Sequence, residues 1–247
     1  MDFSLNALVA MNFTRIEYKY FINKKIRPYI LNDLLQFMHF DRHENLPDHS
    51  YKVASIYFEN HGLTSYQEKL EGQPYRKKTR IRFYPQSNFA GANLEIKYKN
   101  IEQGFKTKIN LSESLMTDLL NGSGNESLKT IENPVLRRVI VGLKTSGLKP
   151  FVKIDYNRIA FYSKTDTNVR VTLDSDVKCS RFSRHLTAHT HIPVIPSEME
   201  ILEIKSGRYF PYFLCYLIKK YSLKKSAISK YAYAVQNLGL NSSMSIV

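Results

Sequence analysis

The chain has 247 residues, with 36 Lys and Arg against 22 Asp and Glu, a formal charge of +14. That length suits one large domain or two small ones. The 17 Tyr and 14 Phe, beside only 10 Gly and 9 Pro, exclude a disordered, collagen-like or disulfide-scaffold chain. Cys179 and Cys215 lie far apart outside any C-x-x-C, the apolar run Phe210–Ile218 is too short to span a membrane, and no basic, apolar leader opens the chain, so a cytoplasmic protein is expected.

Residues 1–12 read as a loosely held start. Thr14–Phe21 alternates as a strand does, and Asn23 caps a helix predicted over Lys24–Phe40, with Pro28 tolerated in its first turn. Residues 41–50 form a polar loop. Strands are predicted at Tyr51–Phe58, Ser65–Leu70, Arg76–Tyr84, Leu94–Lys99 and Phe105–Asn110, separated by Gly, Pro or Asn. Ser112 opens a helix that ends before NGSGN at 121–125, a turn and not a phosphate loop, since no G-K-[ST] follows. A second helix covers Asn133–Lys144, with Pro134 in its first turn. Strands resume at Phe151–Phe161, Val169–Leu173 and Met199–Lys205, and helices over Tyr209–Tyr221 and Ser226–Gln236 close the chain. The pattern predicts an antiparallel α+β fold in one unit over residues 13–237.

Side chains two apart in a strand share a face. Glu17 and Lys19 align, as do Arg80 and Arg82; Glu95, Lys97 and Lys99; Lys106 and Lys108; Tyr156 and Arg158; Arg170, Thr172 and Asp174; and Glu203 and Lys205. Apolar side chains take the alternate positions. An open sheet with one wet face is the plain alternative, but wet faces mix signs with Ser, Thr and Gln and seldom repeat E-x-K on three strands. Closing the sheet into a barrel puts the charged rows inside, where like charges are tolerable only around a compensating polyanion or metal. Arg and Lys suit a linear chain of phosphates, and the few carboxylates suit a hard divalent cation.

The segments RIEYKY (15–20), YFEN (57–60), YQEKLEG (66–72), RKKTRIRFY (76–84), LEIKYK (94–99), KIDYNRIAFYS (153–163), NVRVTLD (168–174), LEIKSG (202–207) and SKYAYAV (229–235) together resemble the VTC (vacuolar transporter chaperone) domain of the triphosphate tunnel metalloenzyme, or CYTH-like, superfamily. The resemblance implies an eight-stranded antiparallel β-barrel with a charged interior and helices packed outside. It also implies a polyphosphate polymerase that uses ATP, orthophosphate or polyphosphate and Mn²⁺ or Mg²⁺. Lys19, Arg80, Arg82, Arg158 and Arg170 take the catalytic basic positions, and Lys97, Lys108, Lys205, Ser229 and Lys230 the remaining phosphate-binding ones, with Lys106 a further candidate beside Lys108. Glu203 takes the metal position. Ala227 stands where the family carries a basic residue, with Lys225 near enough in sequence to reach the same space. Arg15 replaces the first glutamate of the hydrolytic E-x-E-x-K motif, which favours phosphate holding over triphosphate hydrolysis. The regulatory phosphate-sensing domain and membrane helices of eukaryotic complexes are not in this sequence, so the resemblance points to a stand-alone bacterial form.

Other features have plainer readings. His185, His189 and His191 form H-x3-H-x-H at a spacing that fits neither one helix face nor a zinc finger, and read as a loop. Lys219, Lys220, Lys224 and Lys225 read as a solvated basic face, with an anionic membrane surface as a secondary, peripheral partner. Binding without catalysis is the rival function. Nucleic acid is not expected, because the aromatic side chains alternate onto the face opposite the charges.

Overall fold

The computed structural model describes residues 16–41, 49–87, 91–101, 103–122, 131–183, 191–207 and 209–240. The strands are β1 (Ile16–Asn23), β2 (Met38–Phe40), β3 (Ser50–Glu59), β4 (Arg76–Phe83), β5 (Asn93–Asn100), β6 (Gln103–Asn110), β7 (Lys149–Ser163), β8 (Arg170–Arg181), β9 (Ile192–Pro193) and β10 (Met199–Ser206). The helices are α1 (Arg27–Phe37), α2 (Thr64–Leu70), α3 (Glu113–Asn121), α4 (Pro134–Thr145), α5 (Tyr212–Lys220) and α6 (Lys230–Asn237). Eight strands pair antiparallel in the order β1-β10-β8-β7-β3-β4-β5-β6, while β2 adds to β7 and β9 to β8.

Strand alternation divides the side chains between two faces. On the outer face, Tyr20, Ile22, Leu202, Ile204, Val171 and Leu173 pack against Ile30 and Leu34 of α1 and Leu214 and Leu217 of α5. The other half of that face, including Ile56, Ile81 and Leu94, packs against Met116 and Leu119 of α3 and Ile140 and Leu143 of α4. Burying each such side chain contributes about 1.5–3 kcal/mol. The charged rows therefore face inward. One end of the inner face is filled by α6, whose Tyr231, Ala232 and Val235 pack with Val53, Ile154, Val177, Cys179 and Ile201.

Several expectations need correcting. The expected single helix 24–40 begins as a short 3-10 turn, with the Asn23 side chain accepting from Lys25 N–H at 2.9 Å, and its last three residues form β2 beside β7. Residues 65–70 are helical, not a strand. The buried Glu59 carboxylate accepts from the N–H groups of Ser65 and Tyr66, each at 3.2 Å, and caps that helix from a neighbouring strand. Pro211 delays α5 to Tyr212, and the last helix starts at Lys230 with Ser229 as its N-cap, accepting from Ala232 N–H at 3.3 Å. β8 runs beyond Leu173 through a bulge in which Asp176 has φ of 51°, so its inward set changes from Arg170, Thr172 and Asp174 to Val177 and Cys179.

Among the described residues, backbone pairing does not close the barrel. The free edge of β1 is taken by residues 225 and 226: Tyr20 bridges Lys225, and Ser226 N–H donates to the Lys19 carbonyl at 2.9 Å. β6 is left as the opposite edge. Side chains cross the gap instead, since Lys97 Nζ of β5 lies 3.2 Å from Glu17 of β1.

Candidate functional site

The inner face gathers basic side chains from seven strands and α6, and four carboxylates, Glu17, Glu95, Asp174 and Glu203, hold them in place. On β1 and β10 the E-x-K triplets pair internally: Lys19 Nζ lies 3.0 Å from Glu17, and Lys205 Nζ 2.7 Å from Glu203. The third triplet behaves differently. Glu95 accepts from Arg80 Nη2 at 2.7 Å and from Lys106 Nζ at 2.7 Å, with Arg82 Nη1 at 3.8 Å, while Lys97 turns to Glu17. Burial opposes charge on Glu95, but Arg80, Arg82 and Lys106 outweigh it and hold the carboxyl well below the usual range.

Asp174, fully buried, accepts both arms of Arg158, Nε at 2.6 Å and Nη2 at 2.7 Å, and also Lys230 Nζ at 2.5 Å. Burial raises its pKa, and the two cations bring it down to about 2. Three tyrosines lie beneath the cations. Arg80 sits over the ring of Tyr57 at 5.7 Å, Arg158 over Tyr156 at 5.2 Å and Lys78 over Tyr231 at 5.4 Å. The expectation that aromatic side chains avoid the charged face is therefore corrected. Tyr156 and Tyr231 are themselves buried and support the cations from below.

The polar inventory of this face is incomplete. Arg82 Nε, Ser55 Oγ and Thr172 Oγ1 are buried with no hydrogen-bond partner among the described residues. Ser55 is the cross-strand neighbour of Arg82, and Thr172 that of Glu203, so all three unused groups belong to the inner face. An orphaned buried donor costs about 1–3 kcal/mol, which a bound anion would recover.

Each predicted site residue has a definite place. Lys19, Arg80, Arg82, Arg158, Lys205, Ser229, Lys230 and Glu203 come together on the inner face. Arg170 stands at the rim, its side chain 46% exposed and paired with Asp41. Lys97 is 59% exposed at the β1–β5 gap, and Lys108 is an exposed side chain on β6 opposite Glu95. Lys225 does not reach the space beside Ala227, because its amine lies over the ring of Tyr18 at 4.0 Å, on the outer face. Lys78 was not singled out from the sequence, yet its Nζ lies 3.3 Å from Ser229 Oγ. Its parity with Arg80 and Arg82 was the available signal. Arg15, His185 and His189 lie outside the described residues, and His191 has only a long contact, 3.9 Å, to Asp155. In the proposed basic face, Lys220 pairs with Asp33 at 2.7 Å.

No group of three or more His, Cys, Asp or Glu among the described residues forms a metal cage. The residues fit a different kind of site. Glu17 and Glu203 share one region of the inner face: burial and then the charge of Glu203 oppose ionisation of Glu17, but Lys19, Lys97 and Lys205 outweigh them and hold its carboxyl below the ordinary value. Mg²⁺ and Mn²⁺ need only one or two carboxylates when phosphate oxygens complete the shell, so a phosphate-bridged cation suits this pair.

The VTC domain family model matches residues 14–238. The chain belongs to the VTC domain family. Subunit 4 of the vacuolar transporter chaperone complex of Schizosaccharomyces pombe is 26% identical over 195 residues, 69% of this chain and 27% of that protein. The VTC domain described here thus spans about a quarter of that relative's length. Its fold is similar to a putative adenylate cyclase from Bacillus halodurans, with TM-score 0.55, 15% identity, and 88% of this chain and 95% of the other covered. It is also similar to a putative adenylyl cyclase from Hippeastrum with a dominant triphosphatase activity, with TM-score 0.51, 13% identity, and coverage of 93% and 96%. No helix among the described residues is long and apolar enough to cross a membrane.

Proposed function

We propose that this VTC domain is an ATP-dependent phosphotransferase that extends inorganic polyphosphate on its inner face, with residues 13–237 acting as one unit. The observation that carries the reading is the set of unused inward donors, Arg82 Nε, Ser55 Oγ and Thr172 Oγ1, amid cations converging from most of the sheet. Membership of the VTC family supports it.

Phosphoryl transfer demands mainly alignment and neutralisation of charge, with no obligatory protein nucleophile. The ATP triphosphate lies along Arg80, Arg82, Arg158 and Lys19, with Arg170, Lys97, Lys108 and Lys205 along the path beyond and Ser229 and Lys230 closing over it. A terminal oxygen of orthophosphate or of the growing chain attacks the γ-phosphorus. The bond from that phosphorus to the bridging oxygen breaks, and ADP departs with the electron pair. Arg80, already fixed by Glu95 and Tyr57, meets the charge of the transferred group without reorganising, and Arg82 offers its unused Nε beside it. Glu203, with Glu17, would hold Mn²⁺ or Mg²⁺, which supplies neutralisation of phosphate charge. The free cysteines fit a reducing, cytoplasmic setting.

Incubating the pure protein with ATP and Mn²⁺ or Mg²⁺ tests the reading, and long phosphate polymer together with ADP is the expected product. Orthophosphate as the sole phosphate product would mean hydrolysis, which Arg15 disfavours. ATP binding with neither product would leave a binding module, the second reading, which the uncharged Ala227 beside Ser229 favours.

A further inference from the structure

Glu59, at the end of β3, is a buried carboxylate with no part in the phosphate path assigned above. Glu17, Glu95, Asp174 and Glu203 each hold a Lys or Arg, but among the described residues Glu59, 2% exposed, forms no ion pair. Its oxygens accept instead from the N–H groups of Asn60 at 3.1 Å and of Ser65 and Tyr66 at 3.2 Å, and from the Tyr231 hydroxyl. Capping α2 calls only for the backbone donors, all within seven residues of Glu59. The hydroxyl comes from 172 residues away and ties the same carboxylate to a second helix.

Tyr231 immediately follows the two residues that close over the proposed path. Ser229 is the N-cap of α6 and lies 3.3 Å from Lys78 Nζ, and Lys230 reaches Asp174 at 2.5 Å. Successive side chains of an α-helix point about 100° apart, so Lys230 and Tyr231 leave the first turn of α6 in different directions. One goes to Asp174 on β8 and the other to Glu59 on β3. A single anchor fixes one point of a helix; two in different directions also fix its rotation. α6 has only eight residues, too few to hold an orientation by itself, and its Ala232, Ala234 and Val235 bury small side chains against the sheet. Left with Asp174 alone, the helix can turn about that contact and draw the Lys230 amine toward the acid. The Tyr231 ring also stacks on Tyr57 at 5.0 Å, and the Tyr57 hydroxyl accepts from Arg80 Nη1 at 2.9 Å. The tie therefore runs on from α6 to a cation of the sheet.

We propose that Glu59 is a positioning residue of the phosphotransferase: through the Tyr231 hydroxyl it fixes the rotation of α6 and so holds Ser229 and Lys230 over the phosphate path. The proposal rests on the phosphotransferase reading and adds to it a residue that touches neither substrate nor metal.

The test measures tripolyphosphate binding to the full chain by titration calorimetry and, in parallel, kcat and KM for polymer formation from ATP with Mn²⁺. Tyr231→Phe removes the tie but keeps the backbone cap of α2 and the ring stack. Tripolyphosphate affinity and kcat/KM should each fall about tenfold, since small misplacements of positioned groups are costly. Leu217→Ala opens a cavity on the outer face and controls for lost stability; with a urea midpoint lowered at least as far, it should leave both quantities within about twofold. A cycle with Lys230→Met separates positioning from folding. That substitution should cost about tenfold in affinity in the wild type and about twofold or less in the Tyr231→Phe background, where Lys230 is already out of place. Equal costs in the two backgrounds, or a Tyr231→Phe loss no larger than that of Leu217→Ala, would overturn the assignment. If Tyr231→Phe does not fold, Glu59→Asp, which keeps the charge but shortens its reach to Tyr231, enters the cycle with the same expectation. Wild-type protein that binds tripolyphosphate without making polymer removes the phosphotransferase reading, while the cycle still decides the positioning of α6. Protein that binds no tripolyphosphate removes both.

Discussion

Arg158 of β7 and Asp174 of β8 face each other directly across two paired strands, and both guanidinium arms reach the carboxylate at 2.6 and 2.7 Å. Lys230, at the start of α6, adds a third donor to the same acid. One buried carboxylate therefore orients two of the proposed phosphate-binding cations and ties the helix to the sheet.

Replacing that acid separates its structural role from the chemistry. Asp174→Asn leaves Arg158 and Lys230 adjacent, buried and uncompensated. Losing one partner of a buried ion pair costs about 3–5 kcal/mol, so the urea midpoint should drop markedly, with partial recovery when tripolyphosphate is added. An unchanged midpoint would contradict the assigned role of Asp174.

Arg82 should respond in the opposite way. Its Nε has no hydrogen-bond partner among the described residues and its contact to Glu95 is long, at 3.8 Å. Arg82→Met is expected to leave thermal stability unchanged or slightly higher while weakening triphosphate binding about tenfold, which equals about 1.4 kcal/mol. Titration calorimetry with tripolyphosphate, beside a melting curve, reads both effects.

Folding stability should depend on pH through Lys78. Its amine falls from 10.5 to about 7 on folding, through burial and the charges of Lys69, Lys19, Arg76 and Lys97, with the Ser229 hydroxyl and Tyr231 ring beside it. Between those values the unfolded chain holds a proton that the folded one has released, so this group makes stability rise with pH across about 7 to 10.5. Lys78→Met should flatten that rise. Asp174 works at the other extreme: its contribution is full above 3.8 and is lost as pH falls to about 2. Unfolding midpoints measured over pH 2–10 check both windows.

The inner end of the fold depends on the Tyr231 hydroxyl, which donates to the buried Glu59 carboxylate that caps α2. Tyr231→Phe keeps the ring stacked on Tyr57 at 5.0 Å but removes a hydrogen bond to a charged group. A loss of about 1.5–3 kcal/mol is expected, read by chemical denaturation. A cost near zero would mean that the backbone N–H donors alone satisfy Glu59.

The periodicity of the sequence determined which side chains share a strand face, because alternation is a local property of extended backbone. That placed Arg80 with Arg82, Glu203 with Lys205 and the apolar rows behind them before any contact was known, and it held Lys78 in the same row. Pairing between distant segments was decided only in three dimensions. Glu59 turned residues 64–70 into a helix from outside that segment, residues 225 and 226 occupied the β1 edge that a closed barrel would have given to β6, and the bulge at Asp176 re-aimed the end of β8. Glu17–Lys19 and Glu203–Lys205 pair within their own triplets, but Glu95 and Asp174 take their cations from other strands and from α6, brought within 3 Å from far along the chain, and no spacing in the sequence encodes those choices.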